Sequence, residues 1–262
     1  MKKTIALLIM FVVGLSLHTV ADAQNLTPEA LNVLADRYQY FIVIPPMGDE
    51  PLRYMYADIG PHVHVFDVRE GKAEVAWETG NMGAPVSALL LADPNQDGTW
   101  SIIVATRNGR LIAYDAITYE RAWENFQEPF KTISCVTLHN IDADPQQEVI
   151  IVGESALGGG SSIYIFDSVT RGLDWKSQEN FTATEILVGN VDSDPQPEII
   201  LNSGFVIDSK FFNIDLIKRE GGGFGDEMTL EDLNNDGYPE VIGRVPNRSI
   251  RIFDVYAERD LW

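Results

Sequence analysis

"DLNNDGYPEV", residues Asp232–Val241, alternates oxygen-bearing side chains, turns at Gly237 and runs into an apolar segment. Asp, Asn and Gly favour turns. Carboxylate and amide oxygens at alternate positions converge when a chain curls around a cation. The stretch has three partners: "DPNQDGTWSIIV" from Asp93, "NIDADPQQEVIIV" from Asn140 and "NVDSDPQPEIIL" from Asn190. All four read [DN]-x-[DN]-x-D-[GP], and the starts lie 47, 50 and 42 residues apart. That interval is the length of a four-stranded propeller blade.

A second motif keeps step with the first. "VFDVREGKAEVAW" ends at Trp77, "AYDAITYERAW" at Trp123, "IFDSVTRGLDW" at Trp175 and "IFDVYAERDLW" at Trp262. "VIDSKFFNIDL" is the remaining copy, with Leu216 at the tryptophan position; it aligns Asp208 with Asp167 and Asp215 with Asp174. Each unit supplies an apolar strand, the acidic loop, a β-branched strand, an aromatic-rich strand and a short strand ending at tryptophan. Val, Ile, Tyr and Phe bounded by Gly, Asn, Asp and Pro are strand signals. In the first unit "PMGDEP" stands where the acidic loop belongs and is too degenerate to bind metal.

Sheets that cannot each bury both faces must stack, and radial stacking is the natural arrangement. The sequence therefore predicts an all-β fold, a five-bladed β-propeller of four-stranded antiparallel blades spanning 39–262. The blades are expected near 39–80, 84–126, 132–178, 183–218 and 226–262. The repeated tryptophans are expected to wedge between blades.

The chain opens "MKKTIALLIMFVVGLSLHTVADA": Lys2 and Lys3, an apolar run, then Ala21-Asp22-Ala23. This reads as a signal peptide, residues 1–23, cut after Ala23. It implies a secreted or periplasmic protein with no membrane span in the mature chain. In the lead-in 24–38, Thr27 as N-cap, Pro28 at the first helical position and apolar Leu31, Val33 and Leu34 suggest a short helix. The formal charge is −20. Such a surface repels nucleic acid and anionic membranes and favours cations. The single cysteine, Cys135, lies in the apolar run "ISCVTL" and cannot staple the fold.

Calcium takes six to eight oxygens from carboxylates, amides and backbone carbonyls. The last loop offers Asp232, Asn234, Asp236 and Glu240, with a backbone carbonyl expected near Tyr238, and Gly237 permits positive φ. It is the strongest candidate. The central loops offer Asn140, Asp142, Asp144 and Glu148, and Asn190, Asp192, Asp194 and Glu198. Both carry proline, Pro145 or Pro195, where glycine stands elsewhere, so their curl must differ. Asp93, Asn95 and Asp97 keep Gly98 but meet Ser101 at the glutamate position. Up to four Ca2+ sites are expected.

These loops, with "GGFGDEMTLEDLNNDG" from Gly222 to Gly237, resemble FG-GAP/VCBS repeats, the units of integrin-α-type propellers. The resemblance covers roughly 86–262 and more loosely 39–85. It implies calcium in the loop between a blade's first two strands, where it stiffens one face of the disc. Pro145, Pro195, Ser101, Leu216 and the metal-less first unit depart from the pattern.

Signals for catalysis are weak. "GESALG" at Gly153 misses the last glycine of a nucleophile elbow. "GGG" at 158–160 and 221–223 lacks the Lys-Ser/Thr of a phosphate loop. His62 and His64 share one strand face, and His139 abuts the loop at Asn140. The reading is a non-catalytic recognition, adhesion or scaffold module for protein or glycan ligands outside the cytoplasm. A calcium-dependent polysaccharide lyase or hydrolase is the alternative, and a quinone-dependent dehydrogenase rests only on the Asp–Trp halves.

Overall fold

The computed structural model describes residues 40–46, 50–70, 72–126, 128–142, 144–246 and 249–262. The expected leader and the lead-in helix lie outside the described residues. The rest is five four-stranded antiparallel sheets. The first holds β1 (Phe41–Ile44), β2 (Leu52–Ala57), β3 (Val63–Arg69) and β4 (Lys72–Glu78). The second holds β5 (Val86–Ala92), β6 (Ser101–Thr106), β7 (Leu111–Asp115) and β8 (Arg121–Glu124). The third holds β9 (Phe130–His139), β10 (Glu148–Ser155), β11 (Ser161–Asp167) and β12 (Leu173–Lys176). The fourth holds β13 (Ile186–Gly189), β14 (Glu198–Leu201), β15 (Phe205–Asp208) and β16 (Ile214–Ile217). The fifth holds β17 (Asp226–Glu231), β18 (Glu240–Val245), β19 (Ser249–Asp254) and β20 (Arg259–Asp260). Strands pair in chain order within every sheet, the pattern of a propeller blade.

The side-chain period of two explains the stacking. In β10, Val149 and Ile151 enter the core shared with the second blade, while Ile150 and Val152 enter the core shared with the fourth. Both faces of the strand are covered, so its sequence is one apolar run rather than an alternation. β6 repeats this, with Ile102 and Val104 facing the first blade and Ile103 and Ala105 facing the third. Each such fully buried Val or Ile side chain contributes roughly 1.5–3 kcal/mol.

Trp77, Trp123 and Trp175 wedge onto the following blade. Trp77 stacks on Tyr119 at 5.2 Å and meets Tyr114 edge-on at 4.7 Å. Trp175 stacks on Phe212 at 4.4 Å. Leu216, at the equivalent position, packs against the core shared by the fourth and fifth blades. Trp262 is 80% exposed. Trp175→Ala is expected to cost about 2–3 kcal/mol. Trp262→Ala is expected to stay within about 0.5 kcal/mol. Paired thermal melts check this, and equal effects would remove the wedge explanation.

Four apolar cores join neighbouring blades in chain order. Among the described residues no such core joins the fifth sheet to the first. The face of the first sheet opposite the core it shares with the second forms its own buried cluster, in which Phe41, Tyr54 and Phe66 stack in a ladder. Arg53, 1% exposed, clasps the first blade to the second through the Ala116 carbonyl at 2.9 Å and the Tyr119 hydroxyl at 2.8 Å.

Candidate metal centre

Each acidic loop joins the first strand of a blade to its second, so all lie on one face of the disc. The glutamates open the second strands: Glu148 in β10, Glu198 in β14 and Glu240 in β18. Ser101 opens β6 in the second blade. The third strand then brings an aspartate alongside. Glu148 pairs in register with Asp167, Glu198 with Asp208 and Ser101 with Asp115. Val241 pairs with Phe253, which sets Glu240 beside Asp254.

The third and fourth blades build the same structure. Glu148 Oε2 accepts from the Ile141 N–H at 2.8 Å, and Glu198 Oε2 from the Val191 N–H at 2.8 Å. Asp142 Oδ1 accepts from the Asp144 N–H at 2.8 Å, and Asp192 Oδ1 from the Asp194 N–H at 2.9 Å. Asn140 and Asn190 each donate through Nδ2 to the carbonyl of Asp144 or Asp194 at 2.5 Å. In each blade the Asp, Asp and Glu bring ligand oxygens within 4.8 Å of one another. Glu148 Oε1 and Glu198 Oε1 have no hydrogen-bond partner, although their residues are 2% and 0% exposed.

The glycine loops are tied differently. Asp93 Oδ2 accepts from the Gly98 N–H at 2.9 Å, and Asp232 Oδ2 from the Gly237 N–H at 3.0 Å. Proline has no N–H to give. Where proline occupies that position, the loop opens with Asn, which donates to a carbonyl instead. The Asp–Gly and Asn–Pro combinations are thus two solutions to one loop-closing problem. Gly237 adopts the expected positive φ, at +96°.

In the fifth blade both Glu240 oxygens are engaged: Oε2 by the Leu233 N–H at 2.7 Å and Oε1 by Asn234 Nδ2 at 2.6 Å. Asp236, Glu240 and Asp254 form its carboxylate group, so Asp254 joins a set read from the loop alone. Tyr238 lays its ring on Tyr256 at 4.5 Å. In the second blade Asn95 Nδ2 donates to Asp97 Oδ2 at 2.7 Å, and Asp93 and Asp97 accept from loop N–H groups. Ser101 brings no carboxylate to them.

Electrostatics follow burial. Burial pushes the Glu148 carboxyl up to about 7, with Asp142 and Asp144 adding to the rise against the Ile141 N–H. Burial pushes Glu198 up to about 8, reinforced by Asp192, Asp194 and Asp215 against the Val191 N–H. Burial also raises Asp174, as does the charge of Asp167, and burial raises Asp215, as does that of Asp208. Against the cost of burial, the Thr170 and Val169 N–H groups hold Asp167 below the usual carboxylate range.

These residues fit a hard cation. A buried carboxylate oxygen without a donor is costly, and in each proline loop the glutamate that groups with two aspartates carries one. An oxygen-only donor set is what calcium takes, whereas nitrogen or sulfur donors would point to zinc or copper.

Other candidates are structural. His64 is buried, with Nε2 3.3 Å from Asp58 Oδ2 and Nδ1 3.3 Å from Glu78 Oε2. His139 Nδ1 lies 2.9 Å from the Asn140 carbonyl oxygen, at the base of that loop. Cys135 is buried, its Sγ 3.6 Å from the Ala183 carbonyl oxygen, and burial pushes the thiol far up. Ser155, from the near-miss elbow, donates to Glu128 Oε1 at 2.7 Å and is 1% exposed. On the face opposite the acidic loops, a cavity of about 510 Å³ spans blades three to five, with Ser134, Thr184, Asn202 and Asp226 in its wall.

No family model matches the chain, and no curated protein matches it. Among solved structures it is similar to BBS1N in complex with ARL6DN, in crystals soaked with lead. That pair is 14% identical with a TM-score of 0.60, over 86% of this chain and 67% of the other. The mercury-soaked form gives 13%, 0.57, 86% and 64%. Sqt1 of Saccharomyces cerevisiae is 9% identical with a TM-score of 0.56, over 84% of this chain and 61% of that one. The chain therefore spans about two thirds of the length of each. Likeness at this identity is one of fold, and it places the chain in the propeller class.

Proposed function

We propose that the chain is an exported, calcium-binding β-propeller of the FG-GAP/VCBS type, acting as a non-catalytic recognition or scaffold module for protein or glycan partners. The observation that carries the cation is the pair of buried, donor-less oxygens on Glu148 and Glu198. Asp142, Asp144 and Glu148 hold the ion in the third blade, and Asp192, Asp194 and Glu198 in the fourth. Asp236, Glu240 and Asp254 form the third seat once Asn234 turns away from Glu240. Bound calcium supplies the positive charge that these carboxylates lack and fixes the loops of one face.

The opposite face then offers the cavity at Asn202 and Asp226 to a partner. A protein partner is supported by the similar BBS1N propeller, which was crystallised in complex with ARL6DN. Rigid scaffolds that present loops are the usual setting for such recognition. Export is tested by the mass of the mature chain, which should begin at Gln24. The non-catalytic reading is tested by incubation with polyuronides and neutral glycans, in calcium and in chelator. No product is expected; turnover that disappears with chelator would establish the lyase or hydrolase alternative instead.

A further inference from the structure

We propose that a cavity between the second and third blades, on the face of the acidic loops, binds an uncharged saccharide unit. The inference rests on the recognition reading above and gives its glycan arm a place; it does not depend on calcium.

The cavity has a volume of about 330 Å³. Small-molecule sites span about 300–1,000 Å³. Its wall comes from β5 and β9, the first strands of the two blades, and from the loops that follow them. These loops are stitched together: the Gln147 N–H donates to the Pro94 carbonyl at 2.8 Å, and Ser168 Oγ donates to the same oxygen at 3.4 Å. The loop of the second blade is free for such a role. Ser101 stands in place of its glutamate, and the Asp93 and Asp97 carboxylates accept from the loop's own N–H groups. Trp100, the tryptophan outside the wedge repeat, belongs to the wall. It also packs on the core of the first two blades, which holds it in place.

The apolar part of the wall is Trp100, Leu90 and Leu138, all half-buried. Gln96 and Gln147 add two carboxamides, and Thr137 adds a hydroxyl. Among the described residues these three side chains make no hydrogen bond within the protein. A carboxamide donates and accepts in one plane, and a hydroxyl does both from one atom. That set matches the hydroxyls of a sugar ring, while an aromatic ring and two leucines suit its C–H face. Each other ligand class meets a defect. Among the described residues an anion finds no Lys, Arg or His in the wall. A cation finds only Asp93, whose two oxygens already accept from the Asp97 and Gly98 N–H groups. A wholly apolar ligand would bury both carboxamides without partners, which is costly.

Saturation-transfer NMR and tryptophan fluorescence on the full chain in calcium test this. The probes are neutral trisaccharides of glucose, galactose, mannose and xylose, with trigalacturonate as the anionic control. At least one neutral probe should bind, and trigalacturonate should not. Gln96→Ala and Gln147→Ala should each weaken binding about ten-fold. Asn202→Ala, in the cavity of the opposite face, should leave it unchanged. Gln96 is exposed and belongs to none of the three carboxylate groups, so its loss is read at the ligand rather than through folding or metal. No binding by any neutral probe overturns the inference and leaves recognition of a protein partner standing. Binding that survives both Gln variants and is lost in Asn202→Ala overturns it too, and puts the glycan on the opposite face. Cleavage of a bound probe overturns both the inference and the non-catalytic reading beneath it.

Discussion

Millimolar calcium is expected to raise the melting temperature of the chelator-treated chain by about 10–20 °C. The third and fourth blades each present three carboxylates within 4.8 Å, one of them buried with a donor-less oxygen. An ion that binds the folded chain at one hundred times its Kd stabilises by about 2.7 kcal/mol per site. Two sites give about 5 kcal/mol, and a chain of this size gains roughly 2–4 °C for each kcal/mol. Glu198→Gln should halve the rise. Scanning fluorimetry in chelator and in calcium checks both, and a shift under about 2 °C in the wild type would remove the structural role of the metal.

The pH dependence has a definite sign. Glu148 and Glu198 are pushed up to about 7 and about 8 in the metal-free chain. Unfolded glutamate titrates near 4.3. The folded chain therefore retains protons that the unfolded chain releases. That contribution is complete below about pH 4 and is lost as pH rises through 7 to 8. In chelator the melting temperature should fall between pH 5 and pH 8.5. In calcium the fall should flatten, because the bound ion replaces the protons.

The repeat made most of the architecture legible, because a blade is a local unit and its period survives in "IFD", tryptophan and the acidic loop. Leu216 could be placed by alignment alone, and it packs into the core between the fourth and fifth blades. The site was legible only where its ligands are close in sequence. Asp254 reaches Glu240 across a strand pair, so it required the register that a linear motif does not carry. The proline loops show the reverse limit. Pro145 and Pro195 looked like defects, yet their loops leave the donor-less oxygens, while Asn234 ties up Glu240 in the glycine loop. The sequence signal was present in the switch from Asp to Asn at the loop's first position. Its meaning depends on knowing that the Gly98 and Gly237 N–H groups donate to that first residue.

Gly204→Ala is expected to cost about 4 kcal/mol or more, enough to lower the melting temperature by roughly 8–16 °C or to prevent folding of the fourth blade. Gly204 makes the turn between β14 and β15, with its N–H donating to the Leu201 carbonyl at 2.8 Å. Its φ is +95°, where an L side chain is strained by about 1–3 kcal/mol. Space adds a second penalty: a Cβ would stand 1.8 Å from the Lys218 carbonyl oxygen. That oxygen is backbone and cannot swing aside. The Gly204 carbonyl itself accepts from the Lys218 N–H at 2.6 Å, so the two segments cannot separate without losing that bond. Gly98 is the internal comparison: it too has positive φ, at +88°, but a Cβ there meets nothing within 4 Å. Gly98→Ala should therefore cost only the backbone strain, about 1–2 kcal/mol. Equal losses at the two positions in chemical denaturation would show that the close approach at Lys218 is not what fixes the fourth blade against its outer strand.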